Sequence, residues 1–466
     1  MNVMNPLTKA HWKGVQVLIL GLGQYPQGSG VSAALAFARA GACVTVTDLK
    51  SAIDLGANVR RLKRFSNVRF VFGRHDLNDV KTADLIVANP RVRPNSPEMR
   101  LARKMGKKIA SDISIFLDHC SATVIAVTGT RGKSTTSSLI AAMLRASGIR
   151  VWLGGNILVS PLTFLSRVRP KDVVVLELSS WQCESLAFVH RVPRIAVITN
   201  LMRDHLNAYD GMEDYAEAKA QIFRHQSSGD LLIVNDADAY GCAWAQEAPG
   251  TVKRFGTRKG LDARVAGGAI YVGASRVIRL EEMRLLGSHN AQNASAAAIA
   301  AAEAGASVPG IQKTLRTFVP LPHRLETVRL RRGVRFVNDT TATTPDGTIA
   351  AIRALAPITK RLWLIAGGAD KELEYRPLGE EIARVRRSIS ILLLPGNASK
   401  KMRRELIALR IAYESVPSVE DAVRIAETRA VRGDAVLLSP AAASFNQFKN
   451  EFERGETFIR AVKKLR

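Results

Sequence analysis

The stretch Val124-Ile-Ala-Val-Thr-Gly-Thr-Arg-Gly-Lys-Ser-Thr-Thr136 decides how this chain is read. Its first four residues are an apolar run of the kind that forms a buried parallel strand. A turn with Gly129 and Gly132 follows, then Lys133, Ser134 and Thr135, and then SSLIAAMLRA, whose apolar residues recur at helical spacing. Strand, glycine loop and helix in that order aim backbone N–H groups and a helix N-terminus at phosphate oxygens. Lys133 is placed to reach the β- and γ-phosphates of a nucleotide, and a hydroxyl at 134 or 135 to hold Mg²⁺. The strict G-x-x-x-x-G-K-[ST] pattern is broken in one place, where Val127 stands at the first glycine. An ordinary strand–turn–helix unit is the alternative, and the flanking elements favour a nucleotide site.

A chain of 466 residues has room for about three domains. No apolar stretch approaches the ~20 residues of a membrane span, so none is expected. VQVLILGLG runs into a glycine turn rather than a cleavage site, and a cytoplasmic protein is expected. Cys43, Cys120, Cys183 and Cys242 are widely spaced and read as free, mostly buried thiols. The net charge of +26 points to polyanionic partners. The basic runs at 60–64, 103–108 and 400–406 do not alternate with aromatics, which make up only 6% of residues. That argues against a base-stacking platform, and no nucleic acid is expected as a partner.

The sequence divides into three blocks, an α/β architecture with Rossmann-like ends and a phosphate-loop centre. In block one, 1–118, the strand at 15–23 ending in glycines, the helix at 30–41 and a second strand at 42–48 closing on Asp48 make a βαβ unit. Its first turn holds Gly21, Gly23, Gly28 and Gly30, and Pro26 breaks the strict G-x-G-x-x-G pattern. The turn therefore signals a diphosphate-bearing nucleotide and not NAD in particular. Block two, 119–318, holds the phosphate loop, buried strands at 173–180 and 194–200 that each end in polar residues, and an Ala-rich helix closed by Gly305. Block three, 319–466, opens at a Pro-marked linker, PLPHR, and alternates four strand-like runs with helical patterns.

Several residues could carry chemistry. Glu177 ends a buried strand, where a charge is costly unless paired or metal-bound, and its oxygens suit Mg²⁺. A carboxylate paired with a nearby Lys or Arg is the plainer reading. His205 lies just past a strand end, and Lys219 in EDYAEAKAQIF reads as an ordinary helix lysine. Asn290 and Asn293 share a helix face. Arg324 sits beside His323 at the linker, Asp339 follows a buried strand, Lys371 follows a glycine turn, and Ser444 lies in SPAAASFNQFKN. Each has a structural reading alone. Together they put ligand-capable groups at strand ends in all three blocks.

These segments, in order, resemble the Mur ligase family. The resemblance covers nearly the whole chain and rests on TGTRGKSTT, LELSSWQCE, RDHLNAYDGMEDYAEAK, GSHNAQN, PHRLE, FVNDTTATTPDGT, GGADK and LLSPAAASFNQFKNEFERG. It implies three domains, binding the UDP part of a sugar nucleotide, ATP with Mg²⁺, and an incoming amino acid. The implied reaction is phosphorylation by ATP of the alanyl carboxylate of UDP-N-acetylmuramoyl-L-alanine. Attack on the acyl phosphate by the amine of glutamate then gives an amide, ADP and phosphate.

By that resemblance Gly21, Gly23, Gly28, Gly30 and Asp48 hold the UDP-sugar. Gly129, Thr130, Gly132, Lys133, Ser134, Thr135, Asn290, Asn293, Arg324 and Asp339 contact ATP. Ser134 and Thr135 surround a first Mg²⁺, and Glu177, His205 and a carbamate on Lys219 serve a second or bridge the two. Thr343, Lys371 and Ser444 bind the glutamate carboxylates. Lys133, His205, Lys219 and Arg324 form the catalytic set, and a monomer is expected.

Two departures from the family pattern fall in block three. Thr341 stands where relatives often have Lys, and Glu451 precedes the aromatic Phe452 after the F-K-N triplet. D-glutamate is the acceptor the resemblance implies, with L-glutamate or another Mur-type or folylpolyglutamate-type acceptor as the alternatives these departures leave. Two unrelated classes were weighed. A nicotinamide-dependent dehydrogenase is disfavoured by Pro26 and the second phosphate loop. A nucleic-acid-dependent ATPase is disfavoured by the lack of a recognisable nucleic-acid module.

Overall fold

The computed structural model describes residues 9–188, 191–204, 208–445 and 447–465. The chain forms three α/β layers, each around its own sheet. Two compact units divide them. One comprises Met1–Glu282 with Gln292–Arg316, and the other Met283–Ala291 with Thr317–Arg466.

The first sheet runs in the order Val68–Phe72, Cys43–Asp48, Gln16–Leu20, Leu85–Ala88, Lys108–Ala110. All its pairings are parallel. Strand order reverses beside Gln16–Leu20, and the expected glycine turn follows that strand, where open α/β sheets receive ligands. Val17, Leu18, Ile19 and Leu20 are each at most 1% exposed, which is why this segment reads as a continuous apolar run.

The second sheet has nine strands in the same unit. Its parallel part runs from Thr251–Gly256 through Leu231–Asn235, Ile195–Ile198, Thr123–Thr128 and Val173–Glu177 to Val151–Gly155. Thr123–Thr128 thus lies between Ile195–Ile198 and Val173–Glu177, with both neighbours parallel to it. Val174, Val175 and Leu176 are fully buried, each contributing about 1.5–3 kcal/mol of apolar transfer. At the far edge Ala263–Ala266, Ala269–Val272 and Ser275–Arg279 add an antiparallel meander that the sequence reading did not anticipate. Within the first block Ser29 Oγ donates to Asp112 Oδ1 at 2.5 Å, and Ser160 N–H ties the second block to it by donating to Gln27 O at 2.7 Å.

The third sheet, in the second unit, runs Glu326–Arg331, Val334–Asn338, Ala435–Leu438, Leu362–Ala366, Ile389–Leu393, Glu414–Ser415. The first pair is antiparallel and the rest parallel. Four of these strands are the four expected runs. Their carboxyl ends lead into Asp339, Ser439, Gly367 and Leu394 on one edge of the sheet.

The cysteines are all free, as expected. The expectation that most are buried needs correction, because Cys43 is exposed and Cys242 intermediate. Cys43 opens an alternating strand and falls on its outward face.

Candidate active site

The phosphate-loop strand Thr123–Thr128 passes into the helix Lys133–Ala146 through four residues, as the sequence reading requires. Gly129 has φ +139° and Gly132 +84°, regions that L side chains rarely adopt. Space excludes side chains as well. A Cβ at Gly129 would lie 2.0 Å from Thr199 Oγ1, and one at Gly132 would lie 2.2 Å from Asn293 Oδ1.

The loop is clamped from the neighbouring strand end. Thr130 N–H donates to Asn200 O at 2.9 Å, and Arg131 N–H to Asn200 Oδ1 at 2.9 Å. Thr199 Oγ1 donates to Arg131 O at 2.5 Å. Arg131 also pairs with Asp204 at 2.9 Å. The polar end of the run at 194–200, Thr199 and Asn200, is legible in the sequence, but its clamping role is not.

Lys133 Nζ lies 2.9 Å from Gly129 O and 3.1 Å from Thr130 O, folded over the loop. Lys219 reaches the same Gly129 oxygen at 3.0 Å from the helix Met212–Arg224. It is 1% exposed, so the surface-lysine reading is overturned. Burial, then the charge of Lys133, pulls its pKa down to about 7. Its ammonium faces the Tyr215 ring, 4.8 Å from the centroid. The Tyr215 hydroxyl is in turn 3.2 Å from Thr130 Oγ1, and burial raises its pKa to about 12. Cys183, fully buried and charge-coupled to both lysines, is held as a thiol with its pKa pushed up to about 11.

Glu177 pairs in register with Val127 on the adjacent strand, so its carboxylate is level with the start of the loop. The residue is 2% exposed. Its Oε1 accepts from Asn156 Nδ2 at 2.9 Å, while its buried Oε2 has no hydrogen-bond partner. A buried carboxylate oxygen beside a phosphate loop, held on one side and orphaned on the other, fits a hard divalent cation. No Lys or Arg among the described residues bonds that oxygen, as the plainer reading required. Among the described residues no group of three His, Cys, Asp or Glu side chains is assembled. Asn156, which follows the strand Val151–Gly155, was missed in the sequence. His205 lies outside the described residues.

Asn293, 7% exposed, faces Gly132 within the first unit. Asn290, on the same helix Ser288–Glu303 but in the second unit, donates to Leu286 O at 2.8 Å.

In the first sheet Asp48 organises the glycine turn. Its Oδ2 accepts from Gly23 N–H at 3.0 Å and its Oδ1 from Lys50 N–H at 2.9 Å. Gly28 caps the helix Ser29–Ala40. A Cβ on Gly30 would lie 2.1 Å from Gly21 O, so the helix packs directly on the turn.

In the second unit the linker turns sharply, with His323 at φ 66° and Leu325 at φ 46° around Arg324. Asp339 Oδ1 accepts from Leu325 N–H at 3.1 Å and Oδ2 from Ser439 Oγ at 2.9 Å. Burial raises its pKa to about 7, opposed by these hydrogen bonds and by Arg324. Lys371 Nζ donates to Thr343 Oγ1 at 3.2 Å. Ser444 lines an open cavity of about 110 Å³ together with Gly367, Gly368 and Gly396. Both departures pack on His323. Thr341 Oγ1 donates to its carbonyl at 2.9 Å, and the Phe452 ring meets its imidazole edge-on at 5.6 Å.

A phosphate loop with a buried, near-neutral lysine and an orphaned carboxylate defines a nucleotide-dependent group-transfer centre. Models of known families match in the same order. The Mur ligase MurD-like, N-terminal domain matches residues 15–111, the Mur ligase middle domain 127–301, and the Mur ligase, glutamate ligase domain 323–442. The chain belongs to the Mur ligase family.

It is 39% identical to a UDP-N-acetylmuramoylalanine–D-glutamate ligase of Roseiflexus sp. (strain RS-1), over 96% of this chain and 98% of that one. A ligase of the same name from Borreliella afzelii (strain PKo) is 36% identical, over 97% and 98%. Among solved structures, the UDP-N-acetylmuramate-alanine ligase of Thermotoga maritima superposes with a TM-score of 0.61 at 17% identity, covering 96% and 99%. The MurF ligase of Thermotoga maritima in complex with ADP gives 0.60 at 18% identity, covering 97% and 98%. At those identities the structural likeness speaks for the fold.

Proposed function

We propose that this protein joins D-glutamate to UDP-N-acetylmuramoyl-L-alanine at the expense of ATP, a step of peptidoglycan precursor synthesis in the cytoplasm. The observation that carries the reading is the near-full-length identity to D-glutamate ligases, combined with the phosphate loop that Lys133 and Lys219 share. No described helix is long and apolar enough to cross a membrane, which is compatible with a water-soluble substrate.

A carboxylate accepts an amine only after one of its oxygens becomes a good leaving group. The alanyl carboxylate attacks the γ-phosphorus, ADP leaves, and an acyl phosphate forms. The glutamate amine attacks the acyl carbon, the C–O bond to phosphate breaks, and amide and phosphate result. Bringing two anions together calls for positive charge and fixed geometry.

In this reading Lys133 swings from the loop carbonyls to the β- and γ-phosphates, and Arg324 adds positive charge to ATP. Gly129, Thr130 and Gly132 present backbone to the phosphates. Asn290, Asn293 and Asp339 contact ATP, and the turn at Gly21–Gly30, ordered by Asp48, receives the UDP-sugar. Thr343, Lys371 and Ser444 take the glutamate carboxylates. Ser134, Thr135, Glu177, His205 and a carbamylated Lys219 would hold Mg²⁺, which supplies charge that neutralises the phosphates. A neutral amine is what CO₂ adds to, and a buried Lys219 titrating near 7 offers one.

The test is phosphate release from ATP with UDP-N-acetylmuramoyl-L-alanine and D-glutamate, L-glutamate or neither, with the product weighed by mass spectrometry. Release with a new amide only with D-glutamate supports the proposal. The same result only with L-glutamate changes the acceptor, as the departures around His323 would allow. No turnover with either refutes it.

A further inference from the structure

Arg454 heads the fully buried side chains, at 1% exposure, and lies on the helix Glu451–Lys464. Its Nε donates to Thr340 Oγ1 at 3.0 Å, and its Nη2 to Thr340 O at 3.0 Å and Ala442 O at 3.1 Å. Its Nη1 donates to Ala443 O at 3.3 Å. All four acceptors are neutral, and among the described residues no carboxylate forms an ion pair with it. Burial draws its pKa down to about 10, opposed by Glu451, so it stays charged at neutral pH. A buried cation without an anion is costly, and such charges mark sites that receive one.

The place it occupies gives that charge an outlet. Arg454 lines the same cavity as Ser444. A guanidinium has five N–H donors, so one on Nη1 is left beyond these four bonds. A Cβ on Gly368, another lining residue, would sit 3.3 Å from Nη1. Gly368 has φ +142°, and that Cβ would stand 2.4 Å from Ala443 O, so no side chain fits between Gly368 and Arg454. The loops it ties are the one after Asp339 and the one leading to Ser444. Thr340 Oγ1 passes the tie on to Glu451 O at 3.0 Å.

We propose that Arg454 is a positioning residue of the amino-acid site, joining the Thr340 loop to the Ala442–Ser444 loop and favouring a dicarboxylate amino acid over its monocarboxylate amide. The inference rests on the glutamate-ligase reading above. Charge at the base of the cavity attracts each carboxylate of glutamate, while the clamp fixes Ser444 relative to Asp339.

The experiment uses the full chain with Arg454→Gln and Arg454→Lys. It measures KM for each substrate, Ki for D-glutamine competing with D-glutamate, and Tm. In Arg454→Gln the glutamate KM is expected to rise about 10–100-fold while the ATP KM stays within about threefold. The preference for glutamate over glutamine is expected to fall about tenfold. Arg454→Lys keeps the charge but not the fork, so it should raise the glutamate KM and keep the preference. Should the glutamine variant not fold, lost preference in the folded lysine variant overturns the proposal. So does a glutamate KM unchanged in both variants, or an equal rise for all three substrates with a lowered Tm. Absence of wild-type turnover with glutamate overturns the underlying reading, a different result from active wild type with indifferent variants.

Discussion

Lys219 and Lys133 share one acceptor, the Gly129 carbonyl, at 3.0 and 2.9 Å. Two cations on one oxygen are tolerated because one of them is close to neutral. Desolvation comes first and the neighbouring charge second in lowering the Lys219 pKa to about 7.

Lys219 therefore gives a signed pH dependence. Between pH 7 and about 10.4 the unfolded chain holds a proton on this side chain that the folded chain has lost. The penalty for burying the charge is full below pH 7 and is relieved as pH rises through that window. Lys219→Met is expected to have a higher Tm than wild type at pH 6, with the difference shrinking toward pH 10. A difference that does not change with pH in calorimetry contradicts the placement.

Activity should depend on the same amine as a carbamate. Lys219→Ala is expected to be nearly inactive and partly rescued by a small carboxylic acid, which returns an oxygen anion to the cavity. Rescue is read from phosphate release against acid concentration. Full activity without added acid would leave Lys219 a structural residue.

Removing the Lys133 ammonium should leave the fold intact, since its bonds to the Gly129 and Thr130 carbonyls lie within its own loop. Turnover of Lys133→Ala is expected to fall by about 10³-fold or more, because phosphoryl transfer loses positive charge where negative charge builds up. Near-normal ligation with an unchanged circular dichroism spectrum would remove Lys133 from the reaction.

Asn156 fixes one oxygen of Glu177 and leaves the other to a cation. Asn156→Ala is expected to raise the Mg²⁺ concentration for half-maximal phosphate release about tenfold. An unaltered Mg²⁺ titration would show that Glu177 needs no such support.

The packing of Gly30 on the first glycine turn supplies a steric prediction. Gly30→Ala drives a methyl into Gly21 O and Leu22 O. It is expected to cost about 1–3 kcal/mol of stability and to weaken binding of the UDP-sugar more than of ATP. Calorimetric titration with each ligand separates the two.

The phosphate loop was legible because all its parts are local: an apolar strand, two glycines, a lysine and a helix within a dozen residues or so. The Rossmann-like ends were legible for the same reason, as alternating apolar runs and helical patterns. Lys219 was not, because EDYAEAK reads as a solvent-facing helix, and its burial comes from the packing of Tyr215 against Thr130. Asn156 and Arg454 gave no signal, since their importance lies in contacts with distant segments, Glu177 for one and Thr340 for the other. The meander from Ala263 to Arg279 escaped notice because its strands are short and half-exposed, with no apolar run to mark them.

The central claim is that the alanyl carboxylate is activated by phosphorylation and then captured by glutamate. Its most direct test is ligation with UDP-N-acetylmuramoyl-L-alanine carrying ¹⁸O in both alanyl carboxylate oxygens, in the presence of ATP and D-glutamate. One labelled oxygen should appear in the released phosphate and the other in the new amide. Unlabelled phosphate would mean that the carboxylate never attacks the γ-phosphorus, and the account would be wrong.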